Sequence, residues 1–431
     1  MTQRISHCWF FLLASLALAL PVYAETNRIA YVDSTGDIQT IQPDGTGRRK
    51  LASGEMLQTI AFTPRPMQEE DAKGFYSWPV WSPDGSRIAS FRLVAGENSQ
   101  IDGLYMFDVA SSQVLHSYKA PGLQPIYAYW APDSQHLAVL LGGGGTSPLS
   151  LGLWPPPEGQ QPKTLAQGIP FYFNWRADAQ ALLVHTGGER DSKDGHSVSM
   201  LDVGSGKRTI VSRSPAVFGP PSWSQDGKWL AYGDQVEEKK DKTAKTALMV
   251  AAADGSAAKS LGTFPEKITM EWSPTQPQIA VATSAVADDP IVENLQLVDV
   301  PSGKVRMLVK EPLAGYFWSP DGTRILYARR KPESFLWTWC IVDVADGKIS
   351  EVVDFLPARP MLIVFQYFDQ YALSHRLWSL DSKHFVFTGS AGPDAHPATA
   401  IRNPSVYVVD ATPHATPKSV ADGNIAFWSP R

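Results

Sequence analysis

The stretch Asn424-Ile-Ala-Phe-Trp-Ser-Pro-Arg431 ends the sequence on a phrase, Trp-Ser-Pro, that recurs along the whole chain. Seven earlier variants each begin with a tryptophan: Trp81-Ser-Pro-Asp-Gly, Trp130-Ala-Pro-Asp, Trp175-Arg-Ala-Asp, Trp223-Ser-Gln-Asp-Gly, Trp272-Ser-Pro, Trp318-Ser-Pro-Asp-Gly and Trp378-Ser-Leu-Asp. The eight tryptophans are separated by 49, 45, 48, 49, 46, 60 and 50 residues. A repeat of this length that contains several short strands is typical of a β-propeller.

One repeat unit illustrates how four strands arise. The phrase that begins at Trp318 predicts a turn, because proline fixes φ, aspartate accepts hydrogen bonds from its own backbone and glycine tolerates a positive φ. Arg324-Ile-Leu-Tyr-Ala, the apolar segment 335–344 and Lys348-Ile-Ser-Glu-Val-Val then predict three strands, the last two joined by a turn at Asp346-Gly347. The strand that leads to the next tryptophan is the fourth.

The two ends of the chain complement each other. Arg28-Ile-Ala-Tyr-Val, Asp37-Ile-Gln-Thr-Ile and Arg48-Arg-Lys-Leu predict three strands of a unit that lacks its first one, whereas Ile425-Ala-Phe-Trp428 is a first strand without a unit. The sequence therefore predicts an all-β fold with a single eight-bladed propeller of four-stranded blades. We expect the C-terminal strand to pair with the N-terminal blade, which removes the exposed edges of an open array.

The repeat Trp-Ser-Pro-Asp-Gly-x-x-Ile-Ala-Phe/Tyr, followed by a strand of the Tyr-Val-Val-Asp type, resembles the TolB-type WD40-like propeller repeat. The resemblance covers residues 25–431 and is strongest at Trp81 and Trp318, while the copies at Trp130 and Trp175 are degraded. The TolB family implies six blades and an additional N-terminal α/β domain. Because eight blades leave no stretch for that domain, we do not carry the TolB partner role over to this chain.

Residues 1–24 have the pattern of a secretory signal peptide. Arg4 gives a basic start, an apolar stretch covers 9–20, and Val22-Tyr23-Ala24 has small residues at the positions that signal peptidase recognises. A membrane anchor is disfavoured, because an apolar stretch of about 12 residues is too short to span a bilayer. We therefore expect cleavage after Ala24, a periplasmic or secreted protein, and a mature chain that does not span the membrane.

Composition and motifs limit the remaining function classes. After cleavage Cys340 is the only cysteine, so no internal disulfide forms, which fits a bacterial periplasm or cell exterior. The net charge of −5 gives no basic excess for nucleic acid. We find no Gly-x-Ser-x-Gly, Cys-x-x-Cys or His-Glu-x-x-His motif, and the loop from His185 to His196 predicts a hairpin more than a metal site. No catalytic residue, metal or cofactor is predicted, and we expect a monomer.

Long connections gather on one face of the predicted propeller, which we call the long-loop face. They join strands two and three of a blade, or one blade to the next, and comprise residues 54–76, 142–148, 186–196, 234–246, 284–293, 355–374 and 389–404. Because loops on a rigid scaffold carry function, we expect the ligand or partner to bind here. Segment 355–374, which is strongly apolar, is either an extra strand or helical turn packed on the channel mouth, or a partner-binding patch.

The polar and aromatic side chains most able to face the channel or its mouth form the candidate binding site. They are Trp78, Tyr127, Tyr172, Glu271, Tyr316, Phe368, Asp369, Tyr371, His375 and Arg376. A lone histidine or glutamate on an inner strand is also commonly a hydrogen-bonded structural group, so both interpretations stay open.

The leading functional interpretation is a non-enzymatic scaffold that binds a protein partner of the cell envelope. One alternative is a propeller enzyme of the polysaccharide lyase or hydrolase type, and another is a module that binds a sugar, peptide or small ligand. A lyase predicts a metal held by converging His, Gln or Glu side chains in the channel. A scaffold predicts an apolar patch near residues 360–371.

Overall fold

The computed structural model describes residues 27–54, 74–94, 100–118, 124–142, 148–155, 164–187, 196–216, 219–236, 245–265, 267–284, 291–393 and 395–431. Antiparallel strands in seven sheets make up most of this part of the chain, with three short helices. The predicted all-β class is confirmed. The expected signal peptide lies outside the described residues, and among the long connections only 355–374 is described throughout.

The first sheet contains β1 (Ile29–Val32), β2 (Ile38–Ile41) and β3 (Arg49–Ala52), together with the last strand of the chain. Five further sheets each contain four strands that are consecutive in sequence. They are β4 (Gly74–Trp81), β5 (Arg87–Val94), β6 (Gln100–Asp108) and β7 (Val114–Tyr118); β8 (Gln124–Trp130), β9 (Leu137–Gly142), β10 (Leu149–Trp154) and β11 (Thr164–Gly168); β12 (Phe171–Trp175), β13 (Ala181–Thr186), β14 (Ser197–Asp202) and β15 (Arg208–Ser212); β16 (Ser222–Trp223), β17 (Trp229–Val236), β18 (Lys245–Ala252) and β19 (Lys259–Pro265); and β20 (Lys267–Trp272), β21 (Gln278–Ser284), β22 (Glu293–Asp299) and β23 (Val305–Val309).

The seventh sheet has seven strands. They are β24 (Ala314–Trp318), β25 (Arg324–Arg330), β26 (Trp337–Asp343), β27 (Ile349–Pro357), β28 (His384–Ala391), β29 (Ser405–Asp410) and β30 (Lys418–Asp422). Helices α1 (Arg359–Gln366) and α2 (Phe368–Tyr371) lie between β27 and β28, and α3 (Pro397–Arg402) follows β28. Within the described residues, no helix has the length and apolar character needed to cross a bilayer.

The last strand, β31 (Ile425–Trp428), completes the first sheet. It runs antiparallel to β1, with Ile29 opposite Trp428 and Val32 opposite Ile425. All four residues of both strands are buried, so both faces of this pair are covered and an alternation of polar and apolar residues is not required. The two segments that the sequence analysis assigned to one unit are therefore hydrogen-bonded to each other.

The repeated turns have the expected structure. An oxygen of Asp84, Asp226, Asp321 or Asp381 accepts a hydrogen bond from the backbone N–H two residues later, at 3.0, 3.1, 3.0 and 3.0 Å respectively. At Asp226 and Asp381, hydrogen bonds from the preceding serine hydroxyl and from this amide hold the pKa of the carboxyl below its usual range. These aspartates stabilise turns, as their repetition along the chain predicts.

The motif tryptophans share a hydrogen bond that the sequence does not reveal. In six of the eight motifs, indole Nε1 donates to the carbonyl of the residue just before the tryptophan of the preceding motif. The pairs are Trp81 to Phe427 (3.3 Å), Trp130 to Val80 (3.1 Å), Trp175 to Tyr129 (3.0 Å), Trp272 to Ser222 (3.1 Å), Trp318 to Glu271 (3.4 Å) and Trp378 to Phe317 (3.0 Å).

The two remaining motifs make the corresponding link through the backbone. The N–H of Trp223 donates to the side-chain oxygen of Asn174 at 3.2 Å, and the N–H of Trp428 donates to the carbonyl of Arg376 at 2.8 Å. Each motif is therefore hydrogen-bonded to the motif before it, and the first motif is hydrogen-bonded to the last. A buried N–H group that lacks a hydrogen-bond partner destabilises the fold. This series of hydrogen bonds between consecutive tryptophan motifs, which we call the indole relay, therefore fixes which motifs are neighbours as well as the burial of the rings.

Candidate functional site

Residues 358–375, which we call the plug, account for the long spacing between the sixth and seventh motif tryptophans. Pro360 occupies the first turn of α1, where a missing backbone N–H is tolerated. Met361, Val364 and Phe365 are buried at the three- and four-residue spacing of one helix face. Of the predicted alternatives, the segment forms helical turns and not an extra strand.

Aromatic contacts seat the plug against β24. The ring of Phe368 lies 4.7 Å from that of Tyr316, which is completely buried and donates its hydroxyl to the carbonyl of Ala280 at 3.0 Å. Gly315 permits this approach, because its φ is +67° and a β-carbon there would lie 3.1 Å from the ring of Phe365.

Hydrogen bonds hold the plug to the first strands of two other sheets, β12 and β8. The N–H of Phe173 on β12 donates to Gln370 Oε1 at 3.2 Å, and Gln370 Nε2 donates to the carbonyl of Phe173 at 3.0 Å. The hydroxyl of Tyr127 on β8 donates to the Gln370 carbonyl at 3.0 Å and lies 2.7 Å from the hydroxyl of Ser374. Gln370 is only 6% exposed, so these bonds satisfy polar groups that water does not reach.

The end of the plug lies in an aromatic environment. Tyr371 stacks on Trp78 at 4.9 Å, where a bulge in β4 gives Trp78 a left-handed φ of +54°, a sparsely populated conformation for a bulky residue. The ring of His375 lies 4.4 Å from Phe427 on β31. Burial lowers the pKa of His375 to about 3, so the imidazole is neutral, and its Nε2 has no hydrogen-bond partner among the described residues.

Two carboxyl groups lie at the junction of α2 and β20. Glu271 and Asp369 are 7% and 8% exposed. Burial raises the pKa of Glu271 well above its ordinary value, and the negative charge of Asp369 adds to this effect. Burial also raises the pKa of Asp369, to about 6, although the positive charge of Lys267 opposes the rise. Buried acids whose pKa is raised in this way are found at functional sites more often than elsewhere.

Most of the candidate residues from the sequence meet at the plug. Phe368, Asp369, Tyr371 and His375 belong to it, while Trp78, Tyr127, Glu271 and Tyr316 lie on the surrounding strands. Burial raises the pKa of Tyr172, and the negative charge of the nearby Asp369 carboxylate raises it further. Arg376 follows the plug; its side chain is exposed and its carbonyl pairs with Trp428.

Sequence reasoning missed Gln370 and Ser374. Their partners are a main-chain peptide group and a hydroxyl that lie about 200 or more residues away, at separations of 197 and 247 positions. No pattern in the sequence signals such a partner, because every residue carries a peptide group.

The outward side of α1 exposes large apolar side chains beside the polar residues Arg359 and Gln366. Leu362, Ile363 and Tyr367 are 44%, 42% and 43% exposed, on the side opposite the buried residues of the helix. These three exposed apolar side chains lie in the region where the scaffold interpretation expects a patch. In the part of the chain that the structure describes, no three His, Cys, Asp or Glu side chains converge as metal ligands. Most of the histidine-containing loop 185–196 lies outside that part.

No protein-family model matches the chain, and no curated protein matches it. Among solved structures, the chain is similar to an oligogalacturonate lyase in complex with manganese, at 14% identity over 91% of this chain and 83% of that one, with a TM-score of 0.47. It is also similar to a putative TolB from Agrobacterium tumefaciens (19% identity, 68% and 94%, TM-score 0.38) and to TolB from Acinetobacter baumannii (13% identity, 86% and 89%, TM-score 0.40). The structures to which the chain is similar thus include TolB proteins, the family that the repeat resembles, and likenesses of this size carry no argument about function.

Proposed function

We propose that residues 25–431 form one eight-bladed propeller and that the seven-stranded sheet contributes two of the blades. The second of these takes its first strand from the residues around Trp378, which pairs with Phe385 of β28 through a single bridge. The hydrogen-bond relay between consecutive tryptophan motifs supports this count, and the pairing of β31 with β1 supports closure of the ring. In this arrangement the plug lies at the centre of the ring, on the long-loop face.

We propose further that the protein is an exported, non-enzymatic binding protein of the cell envelope, and that it holds a protein partner against the outer side of the plug. One observation carries this proposal: the plug covers the aromatic side chains of the first strands and at the same time presents Leu362, Ile363 and Tyr367 to solvent. Exposed apolar clusters on soluble proteins commonly mark interaction sites, and tyrosine is frequent among the residues that dominate binding energy.

The enzyme alternative has a specific candidate in Glu271, whose raised pKa suits a general acid. A catalytic acid must come within hydrogen-bond reach of its substrate. Glu271 is more than nine-tenths buried next to the plug, and the aromatic residues that would hold a sugar or peptide at the channel mouth contact the plug. We therefore favour binding at the surface of the plug over chemistry beneath it.

The experiment is a capture assay with the mature protein as bait in an envelope extract, followed by titration of the captured protein after purification. The test variant carries Leu362→Glu and Ile363→Glu. The matched control is Leu380→Glu, which changes a residue of similar exposure (40%) in the short turn after Trp378.

We expect the control to bind like the wild type and the test variant to lose at least tenfold in affinity. Equal binding by all three proteins, or loss in the control alone, contradicts the proposal. N-terminal sequencing of the exported protein tests its location, because cleavage after Ala24 leaves Glu25 as the first residue.

A further inference from the structure

Two buried carboxyl groups lie on the two elements that meet where the plug contacts the strands around it. Glu271 lies on β20, beside the motif residue Trp272, and Asp369 lies on α2, which packs against β20 and β24. Both side chains are more than nine-tenths buried. Two negative charges in such a position repel each other and lose hydration, so the seated plug is favoured when at least one carboxyl carries a proton.

The surroundings compensate the two carboxyls unequally. Among the described residues Glu271 Oε1 has no hydrogen-bond partner, whereas hydrogen bonds from the backbone N–H groups of Asp369 and Gln370 favour the carboxylate of Asp369. The charge of Lys267, on the same strand as Glu271, reaches Asp369. The other titratable groups around the pair are tyrosines of β12, β24 and the plug, namely Tyr172, Tyr316 and Tyr367. Burial raises the pKa of Tyr172 and Tyr316, so these two are neutral and add no negative charge.

We propose that the plug is a proton-dependent latch, which is seated when Glu271 and Asp369 take up protons and is loosened when they release them. The proposal concerns the plug alone and does not depend on which partner binds to its outer side. A loosened plug would uncover the aromatic residues beneath it and would displace the outer side of α1.

The direction follows from proton linkage. The pKa of Asp369 is about 6 in the seated state, and that of Glu271 is well above its ordinary value, whereas both groups return towards ordinary values in water. Seating therefore binds protons. Between the ordinary and the raised pKa, each pH unit of increase favours release by up to about tenfold per carboxyl.

The imidazole of His375, near the end of the plug, has the opposite effect in acid. Its pKa is about 3 in the seated state and near 6.5 in water, so the loss of its proton opposes seating below about pH 6.5. Above that value the imidazole is neutral in both states. Asp369, with a pKa of about 6, is largely ionised there in both states, so the range from pH 6.5 to 8.5 measures chiefly the release of the proton from Glu271.

Hydrogen exchange of the plug amides tests the latch in the mature protein. The wild type is compared with the double variant Glu271→Gln, Asp369→Asn at the same pH, so that the intrinsic exchange rate cancels in the ratio. We expect the ratio of wild-type to variant exchange in the plug to rise between pH 6.5 and 8.5, as Glu271 releases its proton, and to stay constant in β14. A plug ratio that is the same at both pH values overturns the proposal.

A second measurement does not require the double variant to fold. An infrared carboxylic-acid band from a protonated side chain is expected in the wild type at pH 7 and should disappear in Glu271→Gln. Its absence from the wild type overturns the proposal. Lys267→Met supplies a test of direction, because loss of the positive charge makes the buried carboxylate of Asp369 less stable and should increase plug release at a given pH above about 6. Less release than in the wild type contradicts the account.

Discussion

The side-chain amide of Gln370 hydrogen-bonds to both main-chain groups of Phe173, as a donor to the carbonyl and as an acceptor from the N–H. Phe173 lies on β12, the edge strand of its sheet, so these two groups have no neighbouring strand to pair with. The Gln370 side chain thus satisfies the two main-chain groups that a neighbouring strand would otherwise pair with. The contact also couples α2 to a strand that is distant in sequence.

Replacement of Gln370 by alanine should destabilise the protein by about 2–4 kcal/mol, because it leaves the buried N–H and carbonyl groups of Phe173 without partners. Urea denaturation measures the change. Gln366→Ala is the matched control, since Gln366 is an exposed glutamine of the same plug and its loss should change stability by no more than about 0.5 kcal/mol. Equal effects of the two substitutions would show that Gln370 does not hold the plug.

The indole relay predicts a graded effect at Trp130, which is 1% exposed. Trp130→Phe keeps an aromatic ring but removes the donor to the carbonyl of Val80, and should cost about 1–3 kcal/mol. Trp130→Ala also loses the packing and should cost about 3–5 kcal/mol. The unfolding free energies of the two variants separate the contribution of the hydrogen bond from that of the packing. An unchanged stability of the phenylalanine variant would show that the indole hydrogen bond does not stabilise the fold.

Buried His375 predicts a loss of stability in acid. Its pKa is lowered to about 3 in the folded state, so below about pH 6.5 the unfolded chain binds a proton that the folded chain does not. The contribution of this group to the unfolding free energy should fall by about 1.4 kcal/mol per pH unit as the pH drops towards 3. Comparison of the wild type with His375→Phe at pH 7 and pH 4.5 isolates the effect, because the other groups cancel. A difference that does not vary with pH would mean that His375 is accessible to protons.

Much of the fold could be predicted because a recurring tryptophan motif marks the boundary of each repeat unit. The tryptophan phrase marks each turn, the aspartate of that phrase caps its backbone as expected, and Ile425–Trp428 pairs with Ile29–Val32. The role of each indole N–H was not predictable, since its acceptor is a main-chain carbonyl in another unit.

The plug was only partly predictable. Met361-Leu-Ile-Val-Phe is an apolar run rich in β-branched residues, which suits a strand as well as a helix, and only the packing of one face decides between them. Phe368, Asp369 and Tyr371 were recognised as polar and aromatic groups near the channel mouth. Their partners could not be recognised, because the neighbours of Asp369 and Gln370 come from strands that are distant in sequence.

The central claim is that the plug lies among the first strands of the sheets, and a cross-link between Tyr127→Cys and Ser374→Cys tests it most directly. The hydroxyls of these two residues lie 2.7 Å apart, and the native Cys340 does not compete, because it is fully buried and burial raises the pKa of its thiol to about 12. The account predicts that a short bifunctional maleimide joins the two cysteines within one molecule in high yield. Failure to join them, under conditions in which each cysteine reacts with a monofunctional maleimide, would contradict it.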